Sequence, residues 1–167
     1  MPLNLVNQLL VALEVHRFDF CFIGAGYEKE VDEFLTVNPG LAGRFNRKLR
    51  FESYSPGEIV EIGNRYAVPR GSLLDDDARE TFLDAATTIR NYTTPGGIPG
   101  IDAVQNGRFA RNVVERAEGF RDTRVVARKR AGQPVTVEDL QIITGPDIGA
   151  AVRSVCSDNR DMAAIVW

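Results

Sequence analysis

Histidine occurs once, at His16, and cysteine twice, at Cys21 and Cys156. The two cysteines are far apart, Cys21 inside the apolar run FDFCFIGAG and Cys156 behind an amphipathic segment. Neither has a metal-ligand neighbour, which excludes a zinc site and leaves both thiols to be read as structural. No apolar run approaches the roughly 18 residues that span a bilayer, so no membrane insertion is expected. The first 15 residues lack a basic n-region and carry Asn4, Asn7, Gln8 and Glu14, so they do not read as a signal peptide, and the cytoplasm is the expected compartment. Excess positive charge is missing too. A formal net charge of −3 argues against a general nucleic-acid binder. No GxxxxGK[ST] occurs anywhere, and no apolar strand ends in Asp-Glu. Gly24-Ala25-Gly26 lacks the third glycine of a dinucleotide fingerprint. Internal repeats and low-complexity segments are absent.

What is present suits a globular chain with a core: 44% hydrophobic and 26% charged residues in 167. Residues 3–15 place Leu5, Leu9 and Leu13 on one helical row and Val6 and Leu10 on the next. The run Phe18–Ile23 reads as a strand buried on both faces of a parallel sheet. It breaks at Gly24-Ala25-Gly26 and continues as a short helix holding Val31, Phe34 and Leu35. A turn at Asn38-Pro39-Gly40 leads to the cations Arg44, Arg47, Lys48 and Arg50 and to a second strand over Lys48–Phe51. This is the form of a β-α-β unit. Two such strands cannot cover their own faces, so the chain reads as beginning inside a domain.

From Ser55 the pattern turns helical. Ser55-Pro56-Gly57-Glu58 is a capping box that opens a helix through Ile59, Ile62 and Tyr66. Asp75-Asp76-Asp77 opens another, with Phe82, Leu83, Ala86 and Ile89 inward; N-capping explains these acids without a metal ion. The segment TTPGGIPG is a loop. A long helix runs from about Gly107 to Arg130, with Phe109, Val113, Ala117 and Phe120 inward. Two short capped helices follow, one at Thr136 with Asp139 and one at Thr144 with Asp147.

Two constellations can meet an anion. Arg44 and Arg47 share a face at i and i+3, and a guanidinium offers a planar fork of donors that fits phosphate oxygens. A solvated basic patch at a strand entry is the plainer reading of the pair taken alone. Asn106-Gly107-Arg108 stands at a helix start, where a guanidinium and free backbone amides together suit an anion. An ordinary helix start with a surface arginine is the plain alternative.

The stretch FIGAGYEKEVDEFLTVNPGLAGRFNRKLRFESYSPGEIVEI resembles the second half of the ATPase core of CbxX/CfqX-type AAA+ proteins, and NGRFARNVVERA resembles their sensor-2 segment. The ending around LQIIT is similar to the EccA family of type VII (ESX) secretion. The resemblance implies an α/β remnant of an AAA+ core (two parallel strands with helices) in residues 1–54, followed by an all-α AAA+ lid in residues 55–167. It implies that Arg44 is an arginine finger acting in trans, with Arg47 as its second arginine. Arg108 corresponds to the sensor-2 arginine, and Tyr27 lies in the sensor-1 region, where many relatives have Asn or Thr. The implied intact protein is a cytosolic hexameric ring that uses ATP and magnesium and acts on secreted ESX-type substrate proteins. Without Walker A and Walker B residues this chain is not expected to hydrolyse ATP or to hold a cofactor alone. A Rubisco-activase-like member of the same group and a truncated, non-enzymatic interaction module are the alternative expectations.

Overall fold

The computed structural model describes residues 3–16, 18–19, 21–37, 39–45 and 47–162. The chain divides into two compact units, residues 1–52 and residues 53–167.

The first unit contains helix α1 (Leu3–Val15), helix α2 (Glu28–Thr36) and the single turn α3 (Pro39–Ala42). The expected helical rows of α1 and the helix holding Val31, Phe34 and Leu35 are both formed. Only Val6 and Leu41 are fully buried among the described side chains of this unit. A small aromatic cluster gathers on Phe45, whose ring meets Phe22 at 5.6 Å and Phe34 at 6.4 Å, both edge to face. Neither expected strand is formed among the described residues. The described residues of 18–23 and of 48–51 pair with no other strand, and Phe20 lies outside the described residues. The reason is the one that made the sheet doubtful: two parallel strands without neighbours leave their faces open to water. Ile23 (84% exposed) and Phe51 (90% exposed) carry that cost openly.

The second unit holds the core. Helices α4 (Pro56–Ala67), α5 (Asp76–Asn91), α7 (Gly107–Arg130) and α8 (Gly145–Ser157) pack α7 on α8 and α4, and α5 on α8 and α4. A one-turn α6 (Gly100–Ala103) precedes α7. Ile59, Phe82, Ile89, Phe109, Val113, Ile148 and Val152 are buried together. The two parallel strands among the described residues lie here: β1 (Leu73–Leu74) pairs with β2 (Ile142–Ile143), Leu73 opposite Ile142. The architecture is thus a mostly helical unit with a small parallel sheet. Leu83 and Phe120, expected inward, are 41% and 38% exposed, one residue off the buried stripes of α5 and α7.

Capping fixes where the helices begin. Glu58 accepts from the Ser55 amide at 2.8 Å, and Ser55 Oγ accepts from the Glu58 amide at 3.3 Å. Those Ser55 donors hold the Glu58 carboxyl below the usual range. Asp75 accepts from the Ala78 amide at 2.7 Å and so caps α5. At α8 the Thr144 amide and hydroxyl both donate to Asp147 Oδ2, at 3.0 and 2.9 Å. The expected helix at Thr136 is one 3₁₀ turn, Glu138–Leu140, with Asp139 capping it through Thr136.

Asp147 also binds α8 to α7. Arg124 donates to both of its oxygens, with Nη2 at 2.9 Å from Oδ2, and donates again to the Ile142 carbonyl at 3.0 Å. Burial pushes the Asp147 carboxyl up, and the bonds from Arg124 and Thr144 outweigh it, so the net displacement is downward. Cys156 is a core residue, and burial raises its thiol to about 11. Cys21 is exposed and packs in no core.

Because the Asp147 carboxyl titrates lower in the folded chain than in the unfolded one, its contribution is present above the ordinary carboxylate range and is lost as pH falls through the folded value. Asp147→Asn is therefore expected to flatten the acid limb of the pH–stability curve, and Asp147→Ala to cost about 3 kcal/mol through an unpaired arginine and a lost cap. Denaturant melts across pH 3–7 measure both. Hydrogen exchange on the whole chain should show amides of α4, α5, α7 and α8 protected at least about 10²-fold more than those of 3–52, since opening free energy follows buried contacts. Equal protection in both units would contradict this account of the core.

Candidate functional site

The basic cluster of the first unit is largely committed to acids of its own unit. Arg44, just beyond α3, donates through Nη2 to Glu14 Oε2 on α1 at 2.6 Å and through Nη1 to the Gly40 carbonyl at 3.0 Å. Lys48 pairs with Asp32 and Arg50 with Glu28, both acids on α2. Arg47 is exposed and has no ion-pair partner among the described residues. Arg44 keeps further N–H donors beyond the two in use. Arg44 is therefore paired within its unit, while Arg47 is exposed with no ion-pair partner among the described residues. Tyr27 stands immediately before α2 with its backbone extended, its carbonyl accepting the Val31 amide at 2.9 Å and its ring 82% exposed.

Arg108 lies in the second unit, in the first turn of α7. Phe109, its neighbour, is fully buried, which turns Arg108 outward. The guanidinium donates through Nη1 to Gln105 Oε1 at 3.0 Å. Three backbone amides at this helix start are engaged. The Arg108 and Phe109 amides donate to the carbonyls of Gln105 and Asn106 at 3.0 and 2.9 Å, and the Asn106 amide to that of Ile101 at 2.8 Å. Two consecutive non-glycine residues, Gln105 and Asn106, have positive φ, 68° and 55°. That backbone is uncommon and is sustained by its surroundings.

A cleft of about 360 Å³ lies beside this turn, lined by Gln105, Asn112, Arg116, Asp158, Asn159 and Arg160 among others. Arg116 is engaged across it, donating to Ser154 Oγ at 2.6 Å and pairing with Asp158. Among the described residues, no group of three or more His, Cys, Asp or Glu side chains could hold a metal ion. No described helix is long and apolar enough to cross a membrane.

With this arrangement of helices in view, the comparisons with known proteins are informative. Residues 55–158 match the model of the AAA lid domain. The chain belongs to the AAA lid domain family. The lid is 85% identical, with its preceding unit, to the ESX-2 secretion system protein EccA2 of Mycobacterium tuberculosis, over 162 residues that make up 97% of this chain and 26% of that protein. It is 41% identical to the ESX-1 secretion system protein EccA1 of Mycolicibacterium smegmatis, over 91% of this chain and 26% of that one. Against the ESX-3 secretion system protein EccA3 of Mycobacterium tuberculosis the identity is 36%, over 88% and 24%. The chain thus spans about a quarter of the length of the curated relatives it matches. The likeness to EccA proteins read from the sequence is shown.

The lid presents Arg108 with spare donors, and the first unit presents Arg47 openly and Arg44 on a tether. Arg44 and Arg47 are neighbours in one unit, and Arg108 belongs to the other. Each is a guanidinium whose donors suit phosphate oxygens. The sequence holds no GxxxxGK[ST] segment. Sequence reasoning missed two features. Glu14 was legible only as a polar residue of an apolar helix, and nothing in the local pattern joins it to Arg44. Asn106 was read as part of a helix start, whereas its side chain bridges two other segments.

Proposed function

We propose that this chain is the finger-and-lid part of a cytosolic AAA+ ATPase of type VII (ESX) secretion, with Arg44 and Arg47 reaching a nucleotide held by a neighbouring subunit of a hexameric ring and Arg108 reading it from the lid. The reading is carried by the 85% identity to EccA2 across 97% of this chain. It is supported by the exposed donors of Arg47 and Arg108. ATP and magnesium are bound, in this reading, by sequence other than these 167 residues, and secreted ESX-type proteins are the substrates. The Rubisco-activase-like alternative is set aside because the relatives bear ESX names.

An arginine that neutralises charge developing on a transferred phosphoryl group contributes on the order of 10³–10⁵ in rate. Its effect falls on turnover, since it meets charge that grows in the transition state. The test is a chimera in which this chain replaces the matching segment of EccA2. Arg44→Ala is expected to reduce ATP turnover by about 10³-fold with nucleotide affinity retained, and Arg108→Ala by about 10²-fold. Unchanged turnover in Arg44→Ala would remove the finger assignment. Normal turnover in Arg44→Ala combined with loss in Arg47→Ala would transfer the role to Arg47.

A further inference from the structure

Ser53 and Tyr54, which follow the first unit directly, are fastened to the turn that launches Arg108. The Tyr54 amide donates to Asn106 Oδ1 at 2.9 Å, and Asn106 Nδ2 donates to Asp102 Oδ1 at 2.8 Å. Ser53 Oγ donates to the same Asp102 oxygen at 2.5 Å. From the other side, Arg90 Nη1 near the end of α5 donates to the Tyr54 carbonyl at 2.7 Å and to that of Ser53 at 3.2 Å. A Cβ on Gly107 would lie 3.2 Å from the Tyr54 ring, so the ring rests on the first residue of α7. Asn106 itself has φ 55° and ψ −122°, a backbone that costs on the order of 1–3 kcal/mol in a non-glycine residue and persists only where surrounding bonds over-determine it. Its side chain supplies those bonds.

We propose that Asn106 is a positioning residue that couples the entry strap Ser53-Tyr54 to the aim of Arg108. The amide of Asn106 occupies both partners at once, the strap through Oδ1 and the α6 turn through Nδ2. Its backbone and that of Gln105 carry the two carbonyls on which the first turn of α7 is built, and Gln105 also receives the Arg108 guanidinium. Displacing the strap must therefore turn the 105–106 backbone and re-aim Arg108. The nucleotide consequence rests on the sensor-2 reading above; the mechanical coupling does not.

The test begins on the chain itself with Asn106→Gly, which keeps positive φ accessible and removes only the side-chain bonds. Hydrogen exchange at the Tyr54 amide should accelerate at least tenfold, and ¹⁵N relaxation of the Arg108 Nε–H should shift from an ordered to a mobile side chain. Asp102→Ala, which removes the acceptor shared by Asn106 Nδ2 and Ser53 Oγ and leaves the Tyr54–Asn106 bond in place, should move both in the same direction to a smaller extent. A faster Tyr54 amide with an unchanged Arg108 would overturn the proposal, as would an unchanged Tyr54. In the EccA2 chimera, Asn106→Gly should lower kcat about tenfold with KM within twofold and have no further effect in an Arg108→Ala background. Additive losses would mark Asn106 as a structural residue only. If Arg108→Ala leaves turnover intact, the sensor-2 reading fails, and the relaxation measurement still decides the coupling.

Discussion

The second unit turns on one contact, the edge of the Phe82 ring against Gly63. A Cβ at Gly63 would lie 2.7 Å from Phe82 Cε1, so the absence of a side chain there is what lets α5 close onto α4. The other side of the same ring meets Phe109 at 6.1 Å, edge to face. Three helices are thus registered on one aromatic ring. Since Phe109 is fixed at the second position after Gly107, the rotation of α7 about its axis is fixed as well, and the outward direction of Arg108 follows from core packing. Arg108 is aimed by its buried neighbour.

Most of the lid was legible because its signals are local. The capping acids Glu58, Asp75 and Asp147, the loop TTPGGIPG and the apolar stripe Phe109-Val113-Ala117 act within a few residues, and each appears where its chemistry requires. The β1–β2 pair was not legible. Leu-Leu and Ile-Ile dipeptides have no period to read, and only the packing of α5 and α8 brings them side by side. The first unit failed in the opposite way: Phe18–Ile23 has the composition of a buried strand, but a strand is a property of its neighbours as much as of its own residues. Arg44, Arg47 and Arg108 were visible as residue types, whereas Glu14, which pairs with Arg44, and Asp102 and Arg90, which brace the turn before Arg108 and the segment Ser53-Tyr54, are joined by contacts that no spacing reveals.

The two units also use charge differently. In the first, cations of the 44–50 segment reach back to acids on α1 and α2 through exposed pairs, each of which contributes little against solvent screening. In the lid, Arg124 with Asp147 and Arg70 with Glu118 are bidentate and partly buried, and they stitch α7 to the elements before and after it. Burial raises the Glu118 carboxyl, and the bonds from Arg70 and Ser72 bring it below the ordinary range. The ion pairs are therefore structural in the lid and solvent-screened in the unit before it.

The Leu73–Ile142 pairing has a kinetic meaning. It is parallel and joins the start of α5 to the start of α8, so closing it confines all of α5, α6 and α7 within one loop. The entropy of that closure must be met before the pairing returns any hydrogen bonds. Helices and their caps are local and need no such closure, so a pairing of this kind is expected to weigh on how slowly the lid opens more than on how quickly it is made.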